Sequence, residues 1–446
     1  MPELGAQGDQ SRAIDGPLGL RRMARTVARA MKLHPGWVVV AAAFMLMFGN
    51  WNANAGFGVF MPVLSREFGW SRGAISIAAA LNLVIGGAIA FAVGSATDRY
   101  GPRRVLAMGT FLVSLSYLLA STVNSLWHFY LSMGFLIGVG ASGMYLVPTA
   151  TVSRWFVEHR GLALGIILAA LNLGYVTGPP LSAFLIGLLG WRLTYVVLGG
   201  LVLCFALPGA LFIKSPPAGG GPHAIAAAGA RGASSGSAPP PFVAAGATFR
   251  EAAKDSRLWF LAGSWLLLGF AHMMVSIHAV SYVRDLGVTL EKASLALTTY
   301  GVSSIVGRIG FGAATDRLGT RPTFWFCLVL QLVALLWLLT GPPLWSLYML
   351  IVAFGLATAG SDTTVVRSAS EIFGIRSIGA IMGVLSLGWR IGAASGPVVA
   401  GYIYDATGFY TLAFGLASAG LLVSSVFFAL GFKPAPRRAR AANVVH

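Results

Sequence analysis

The sequence predicts an all-α membrane protein of twelve transmembrane helices, built as two parallel six-helix repeats. Three observations predict it: a charge-poor composition, a series of long apolar runs, and a repeat at one constant offset. Of the 446 residues, 56% are hydrophobic and only 10% are charged. A soluble domain carries about 25% charged residues, so this chain lacks the charge to cover two or three soluble domains. Positions 37–60 hold no charged residue, and neither do positions 105–152, which are long enough for two spans with a turn near Asn124. About 20 apolar residues cross a bilayer core, and within it each segment must bond its own backbone, so the runs are helices.

The spans fall at 37–61, 73–97, 104–123, 127–152, 161–187 and 192–213, then at 257–282, 292–314, 322–340, 345–366, 378–403 and 410–432. Between the two sets lies a stretch, 215–248, rich in Gly, Ala, Pro and Ser, which reads as a flexible linker. The expected organisation is therefore a basic segment 1–36, a six-helix bundle 37–213, a linker 214–256, a second bundle 257–432 and a basic tail 433–446.

Shifting the first half by 218 residues lays it on the second. Arg66-Glu67-Phe68-Gly69 falls on Arg284-Asp285-Leu286-Gly287. Gly94-Ser95-Ala96-Thr97-Asp98-Arg99-Tyr100-Gly101 falls on Gly312-Ala313-Ala314-Thr315-Asp316-Arg317-Leu318-Gly319. Gly161, Gly165, Gly174, Gly178, Pro179 and Gly190 fall on Gly379, Gly383, Gly392, Gly396, Pro397 and Gly408. The spacing Gly388-x-x-x-Gly392-x-x-x-Gly396 suits close helix packing. Two parallel repeats joined by a linker are the plan of a rocker-type transporter with its site at the repeat interface.

Net charge is +17, and most of it belongs to one face. Arg21, Arg22, Arg25, Arg29 and Lys32 precede span 1; Arg99, Arg103 and Arg104 follow span 2; Arg317 and Arg321 follow span 8; Lys433, Arg437, Arg438 and Arg440 end the chain. The positive-inside rule places this face, both termini and the linker in the cytoplasm of a multi-pass plasma (inner) membrane protein. The charge thus needs no nucleic acid as partner. The first 36 residues lack an apolar signal core, so span 1 is expected to stay as an anchor. Cys204 and Cys327 both sit in spans and suggest neither a disulfide framework nor a metal site. No nucleophile–base pair, metal cluster or phosphate-binding loop stands out, so neither an enzyme nor a cofactor is expected, and ATP drive lacks its Gly-x-x-x-x-Gly-Lys-Ser/Thr string.

The string Gly-x-x-x-Asp-Arg-x-Gly-x-Arg-Arg at 94–104 resembles the signature loop of the major facilitator superfamily, and the likeness covers about all of 37–432. Within it, Gly58-Val59-Phe60-Met61-Pro62-Val63-Leu64 followed by Glu67-Phe68-Gly69-Trp70-Ser71-Arg72 resembles the monocarboxylate porter and oxalate:formate antiporter group. So does Arg284-Asp285-Leu286-Gly287 leading to Ser304-Ile305-Val306-Gly307-Arg308. The resemblance implies carboxylate substrates. It matches Arg308 to that group's substrate-binding Arg of helix 8, and Arg390 to a second cation on helix 11 of the oxalate carrier. Proton-coupled members carry an Asp one turn before the helix 8 Arg, where this chain has Ser304, and span 1 has no Lys.

The residues point the same way. An ionisable group inside a span costs roughly 2.5–3.5 kcal/mol on insertion scales, so it needs a reason. Arg308 lies about 12 Å above Asp316 at 1.5 Å per residue, and Arg390 lies near the middle of span 11. Tyr300, Ser304 and Arg308 share one helix face. Asp362 is the one acid well inside a span and cannot neutralise two arginines; its own alternative is a surface pair with Arg367. A guanidinium holds a carboxylate by two parallel hydrogen bonds, so Arg308 and Arg390 are candidate anion ligands. Their alternative is to hold the fold through an acid or a carbonyl. His272, with Asp362, is a candidate proton carrier, and otherwise a neutral histidine bonded inside the bundle. Asn54 on span 1, with Asn50 and Phe57, Tyr145 on span 4 and Trp389 beside Arg390 are candidate contacts or packing residues. Asp98, Arg99, Asp316 and Arg317 are candidate latches that break and re-form during alternating access, or simple topology signals.

The expected function is secondary transport of a small organic anion, a mono- or dicarboxylate, by proton symport or anion exchange, in a monomer within the lipid bilayer. An efflux carrier for lipophilic compounds on the same fold is one alternative. A membrane sensor without transport is another.

Overall fold

The computed structural model describes residues 36–156, 160–214, 247–340, 343–374 and 377–432. The basic segment before 36, most of the linker and the basic tail lie outside them. The described residues are almost all helical. We number the spanning helices α1 Gly36–Phe68, α2 Arg72–Tyr100, α3 Pro102–Ala120 and α4 Leu126–Trp155. A continuous rod from Arg160 bends at Gly190, dividing α5 (160–189) from α6 (191–212). The second half holds α7 Ser256–Asp285, α8 Leu290–Leu318, α9 Thr320–Leu338, α10 Leu344–Phe373, α11 Ile378–Thr407 and α12 Thr411–Gly431. A one-turn helix, Phe249–Lys254, leads into α7 and starts with a capping box between Thr248 and Glu251.

By length and composition, nine described helices can cross a membrane, one of them being the 51-residue rod that contains α5 and α6. The helices α8 and α11 complete the twelve. They carry Arg308 and Arg390 among many Ser and Gly residues, which dilutes their apolar character.

The repeat read in the sequence reappears in the backbone. Glycines with positive φ pair at the same offset: Gly69 (68°) with Gly287 (82°), Gly101 (82°) with Gly319 (89°), and Gly190 (74°) with Gly408 (77°). Gly101 and Gly319 end α2 and α8 and turn the chain straight into α3 and α9, in a conformation that an L side chain resists. Ser71 caps α2, and its counterpart Thr289 caps α8.

Packing inside each half follows the same symmetry. A Cβ on Gly396 would lie 2.2 Å from the Phe270 carbonyl of α7, and one on Gly178 would lie 2.1 Å from the Asn52 carbonyl of α1. Each half therefore clamps its first helix against its fifth at backbone contact, the role expected of the glycine spacing.

The two halves meet along three seams: α2 with α11, α5 with α8, and α1 with α7. In the first, a Cβ on Gly401 would touch the Gly73 backbone at 2.5 Å. In the second, Thr298 donates to the Val176 carbonyl at 2.9 Å. In the third, a Cβ on Gly58 would lie 2.8 Å from the Ile277 carbonyl. These contacts lie toward the Arg72 end of α2. Toward the Asp98 end α2 is largely exposed, Phe91 by 86%.

Candidate functional site

Between the halves lies a cavity of about 810 Å³. The α2–α11 seam ends at its edge, where α2 contributes Asn82, Leu83, Gly86, Gly87 and Ala90. From α11 come Ser386, Trp389 and Arg390, and from α1 come Asn50, Asn54 and Phe57. Arg390 is the one charged residue among those lining the cavity. It is half-buried, and its Nη1 donates to the Leu83 carbonyl at 3.4 Å. Gly87 gives it room, since a Cβ there would lie 3.2 Å from Arg390 Cδ. No described carboxylate pairs with it. A cation facing a cavity with no described acid beside it can attract an anion by electrostatics.

The other predicted ligands divide. Asn54, Tyr145 and Trp389 line the cavity with Arg390. Arg308, Tyr300, Ser304 and His272 are not among its lining. Arg308 is exposed on α8 and forms no hydrogen bond or ion pair within the described residues. Ser304 is buried, and its hydroxyl donates to the Tyr300 and Gly355 carbonyls at 2.8 and 3.2 Å, so it acts in α8–α10 packing. Tyr300 lies within electrostatic reach of both Arg308 and Asp362.

Behind the wall formed by Trp265 sits a second polar layer. Trp265 Nε1 donates to Asp362 Oδ1 at 3.2 Å. That oxygen is 3.9 Å from Nδ1 of His272, which is only 3% exposed. His272 Nε2 lies 2.8 Å from Gln331 Oε1 on α9. The alternative pairing of Asp362 with Arg367 is not formed: Arg367 bonds Asp316 and Glu371 instead.

The expected latch residues divide as well. Asp98 faces Arg154 at 3.7 Å, and Asp316 pairs with Arg367; each pair stays within its own half. Arg99 stacks on Tyr100, and Arg317 is exposed. None of the four bridges the halves in this conformation.

The bridge is on the other face, away from the basic clusters. Arg72 is 9% exposed and forms a bidentate pair with Asp285 at the end of α7. Its Nη1 also donates to the Tyr410 hydroxyl at 2.7 Å, and its guanidinium lies 3.8 Å from the Tyr404 ring centroid. Asp405 accepts from the backbone N–H groups of Arg72 and Gly73, both at 2.8 Å, so an acid of one half caps a helix of the other. His278 continues the string, 2.9 Å from the Tyr410 hydroxyl and 2.8 Å from the Pro397 carbonyl. One signal existed for the missed cavity residue Asn82: its mate at the repeat offset is Tyr300, already named.

Comparison with known proteins agrees with this architecture. Residues 39–291 and 266–445 match the family model described as Major Facilitator Superfamily. Bovine monocarboxylate transporter 13 is 29% identical over 403 residues, covering 87% of this chain and 88% of its own length. Human monocarboxylate transporter 11 is 27% identical over 415 residues, covering 89% and 82%. An uncharacterized MFS-type transporter of Bacillus subtilis (strain 168), YcxA, is 26% identical over 386 residues, covering 84% and 90%.

Proposed function

Because the chain belongs to the major facilitator superfamily, and is therefore a membrane transporter and not an enzyme, we propose that it carries a small organic anion, a mono- or dicarboxylate, by alternating access. The observation that carries this reading is Arg390, the one charge lining the cavity and without an acid partner among the described residues. A carboxylate supplies the missing charge and offers two oxygens to the guanidinium fork. Arg308, exposed on α8 and unpaired among the described residues, is the second anion ligand, met when the halves rock. Relatives named as monocarboxylate transporters support the substrate class. Transport runs as proton symport or anion exchange, with His272 and Asp362 as the proton candidates. The carrier works as a monomer in the plasma membrane, with both termini cytoplasmic.

The test is binding and uptake of labelled lactate, pyruvate and oxalate by purified, folded variants in proteoliposomes. Arg308→Gln is expected to abolish binding, and Arg308→Lys to weaken it strongly, because an ammonium keeps the charge and loses the fork. Arg390→Gln is expected to be nearly as damaging for oxalate, and to act mainly by raising KM for a monocarboxylate. Wild-type affinity in folded Arg308→Gln and Arg390→Gln proteins sinks the assignment.

A second reading, export of lipophilic compounds, draws on the apolar part of the cavity wall: Leu83, Leu171, Met273, Ile277 and Met382. It predicts that hydrophobic cations bind and that Arg390→Gln tightens them.

A further inference from the structure

The polar layer behind Trp265 contains a tautomer fixed by its neighbours. The Gln331 amide group lies 3.1 Å from Ser361 Oγ, and 3.4 Å from the Cys327 and Ala357 carbonyls. The Ser361 hydroxyl donates its own proton to the Thr358 carbonyl at 3.0 Å, so its oxygen accepts from Gln331. The NH2 of Gln331 is thereby committed, and its Oε1 faces His272 Nε2 at 2.8 Å. An amide oxygen only accepts, so Nε2 carries the hydrogen. The neutral ring then has a bare lone pair on Nδ1. That atom is buried, has no hydrogen-bond partner among the described residues, and lies 3.9 Å from the Asp362 carboxylate. Two acceptors confront each other in a water-poor site, an arrangement that one added proton resolves.

We propose that His272 Nδ1 and Asp362 together form the seat for one coupled proton, and that Gln331 is its positioning residue. This rests on the anion reading above. The proton enters by Asp362, whose side chain is 28% exposed against 3% for His272. It is then held between the carboxylate oxygen and Nδ1. The surroundings are sparse in charge. From α8, Tyr300 lies in electrostatic reach of Asp362 and Arg308. From α9 come neutral Gln331 and the buried thiol of Cys327. From α10, the Phe354 ring meets the imidazole edge-on at 5.9 Å. Within the described residues, no acid or base of α11 or α12 forms an ion pair with the layer. Arg308 shares a helix face with Tyr300, so a carboxylate bound to Arg308 adds a negative charge beside the layer, and a proton on the pair balances it. Anion and proton then strengthen each other's binding, and the coupling is reciprocal. The pair occupies the role left open where Ser304 replaces the helix 8 acid.

The experiment measures lactate and oxalate binding to the purified full-length carrier by calorimetry across a pH series. A pH-indicator dye in weakly buffered solution reports proton uptake. One linked proton makes affinity fall about tenfold per pH unit above the midpoint of the pair. Wild type is expected to show this slope and to take up a proton on binding. His272→Gln and Asp362→Asn are each expected to flatten the slope, which covers the case where one of them fails to fold. Gln331→Met keeps the bulk and removes the acceptor that holds the hydrogen on Nε2, so it is expected to keep the slope and move the midpoint to lower pH. A Gln331 that only packs α9 against α7 leaves the midpoint where it was. Anion binding with no pH slope in wild type, or a full slope in His272→Gln, overturns the proton seat and leaves the anion reading standing. No binding of either carboxylate at any pH removes the anion reading, and the coupling with it.

Discussion

Arg72 and Asp285 stand 213 positions apart, in opposite halves of the molecule, and close on each other through two hydrogen bonds of 2.8 and 2.6 Å. This pair exists only while the halves are joined on that face, so it weights the equilibrium between the two access states. A hydrogen bond to a charged group contributes about 1.5–3 kcal/mol. Asp285→Asn is therefore expected to shift the population about tenfold or more toward the state open on the Arg72 face, since 1.4 kcal/mol is one decade. Distances between spin labels placed on α2 and α11 would report it. An unchanged distance distribution in Asp285→Asn would show that the pair carries no weight.

Asp405 acts on the same seam through the backbone, accepting from two N–H groups in the first turn of α2. Charge at a helix N-terminus is worth about 0.3–1 kcal/mol, and up to about 2 where partly buried. Asp405→Asn is expected to shift the same label distances in the same direction as Asp285→Asn, and by less. A larger effect from Asp405→Asn would reverse this ranking.

The glycine clamps should be visible in thermal stability. A Cβ on Gly392 would stand 1.8 Å from the Leu266 carbonyl, while one on Gly165 meets nothing within 4 Å. Forcing carbon into a packed contact costs about 1–3 kcal/mol. Gly392→Val is expected to lower the melting temperature of the detergent-solubilised carrier by several degrees, and Gly165→Ala to leave it nearly unchanged. Equal melting points for the two variants would remove backbone contact as the reason for glycine at 392.

Orientation is tested by labelling from outside. A cysteine replacing Ser234 in the linker is expected to resist a membrane-impermeant maleimide in sealed cells. One replacing Thr289, the residue capping α8, is expected to react. Efficient reaction at 234 would invert the topology.

The repeat made much of the fold readable. Helix ends, the turning glycines and the clamps recur at one offset, so each was seen twice. The outer bridge was hidden because it is not repeated. At that offset Arg72 maps to Leu290, and Gly187 maps to Asp405, so symmetry offered no warning. Helical geometry explains the misplaced partner of Arg367. Glu371 lies four residues on and shares its face, whereas Asp362 lies five back and projects elsewhere. Gln331 passed unnoticed because one amide in an apolar span looks like helix glue until its three acceptors are in place.

The charges deep in the second half, Arg308, Arg390 and Asp362, sum to one net positive charge, and the charge that a stroke moves has an electrical consequence. Moving a unit charge through the transmembrane field involves about 2.3 kcal/mol per 100 mV. A monocarboxylate that travels with one proton adds no net charge, so the charge moved by the loaded stroke is cancelled on the return and the cycle is electroneutral. Exchange of a divalent for a monovalent anion displaces one charge per turnover and makes the carrier a current source. The membrane potential thereby separates the two transport modes by a route independent of pH: the first leaves a voltage-clamped bilayer silent, and the second draws current whose sign names the direction of the divalent anion.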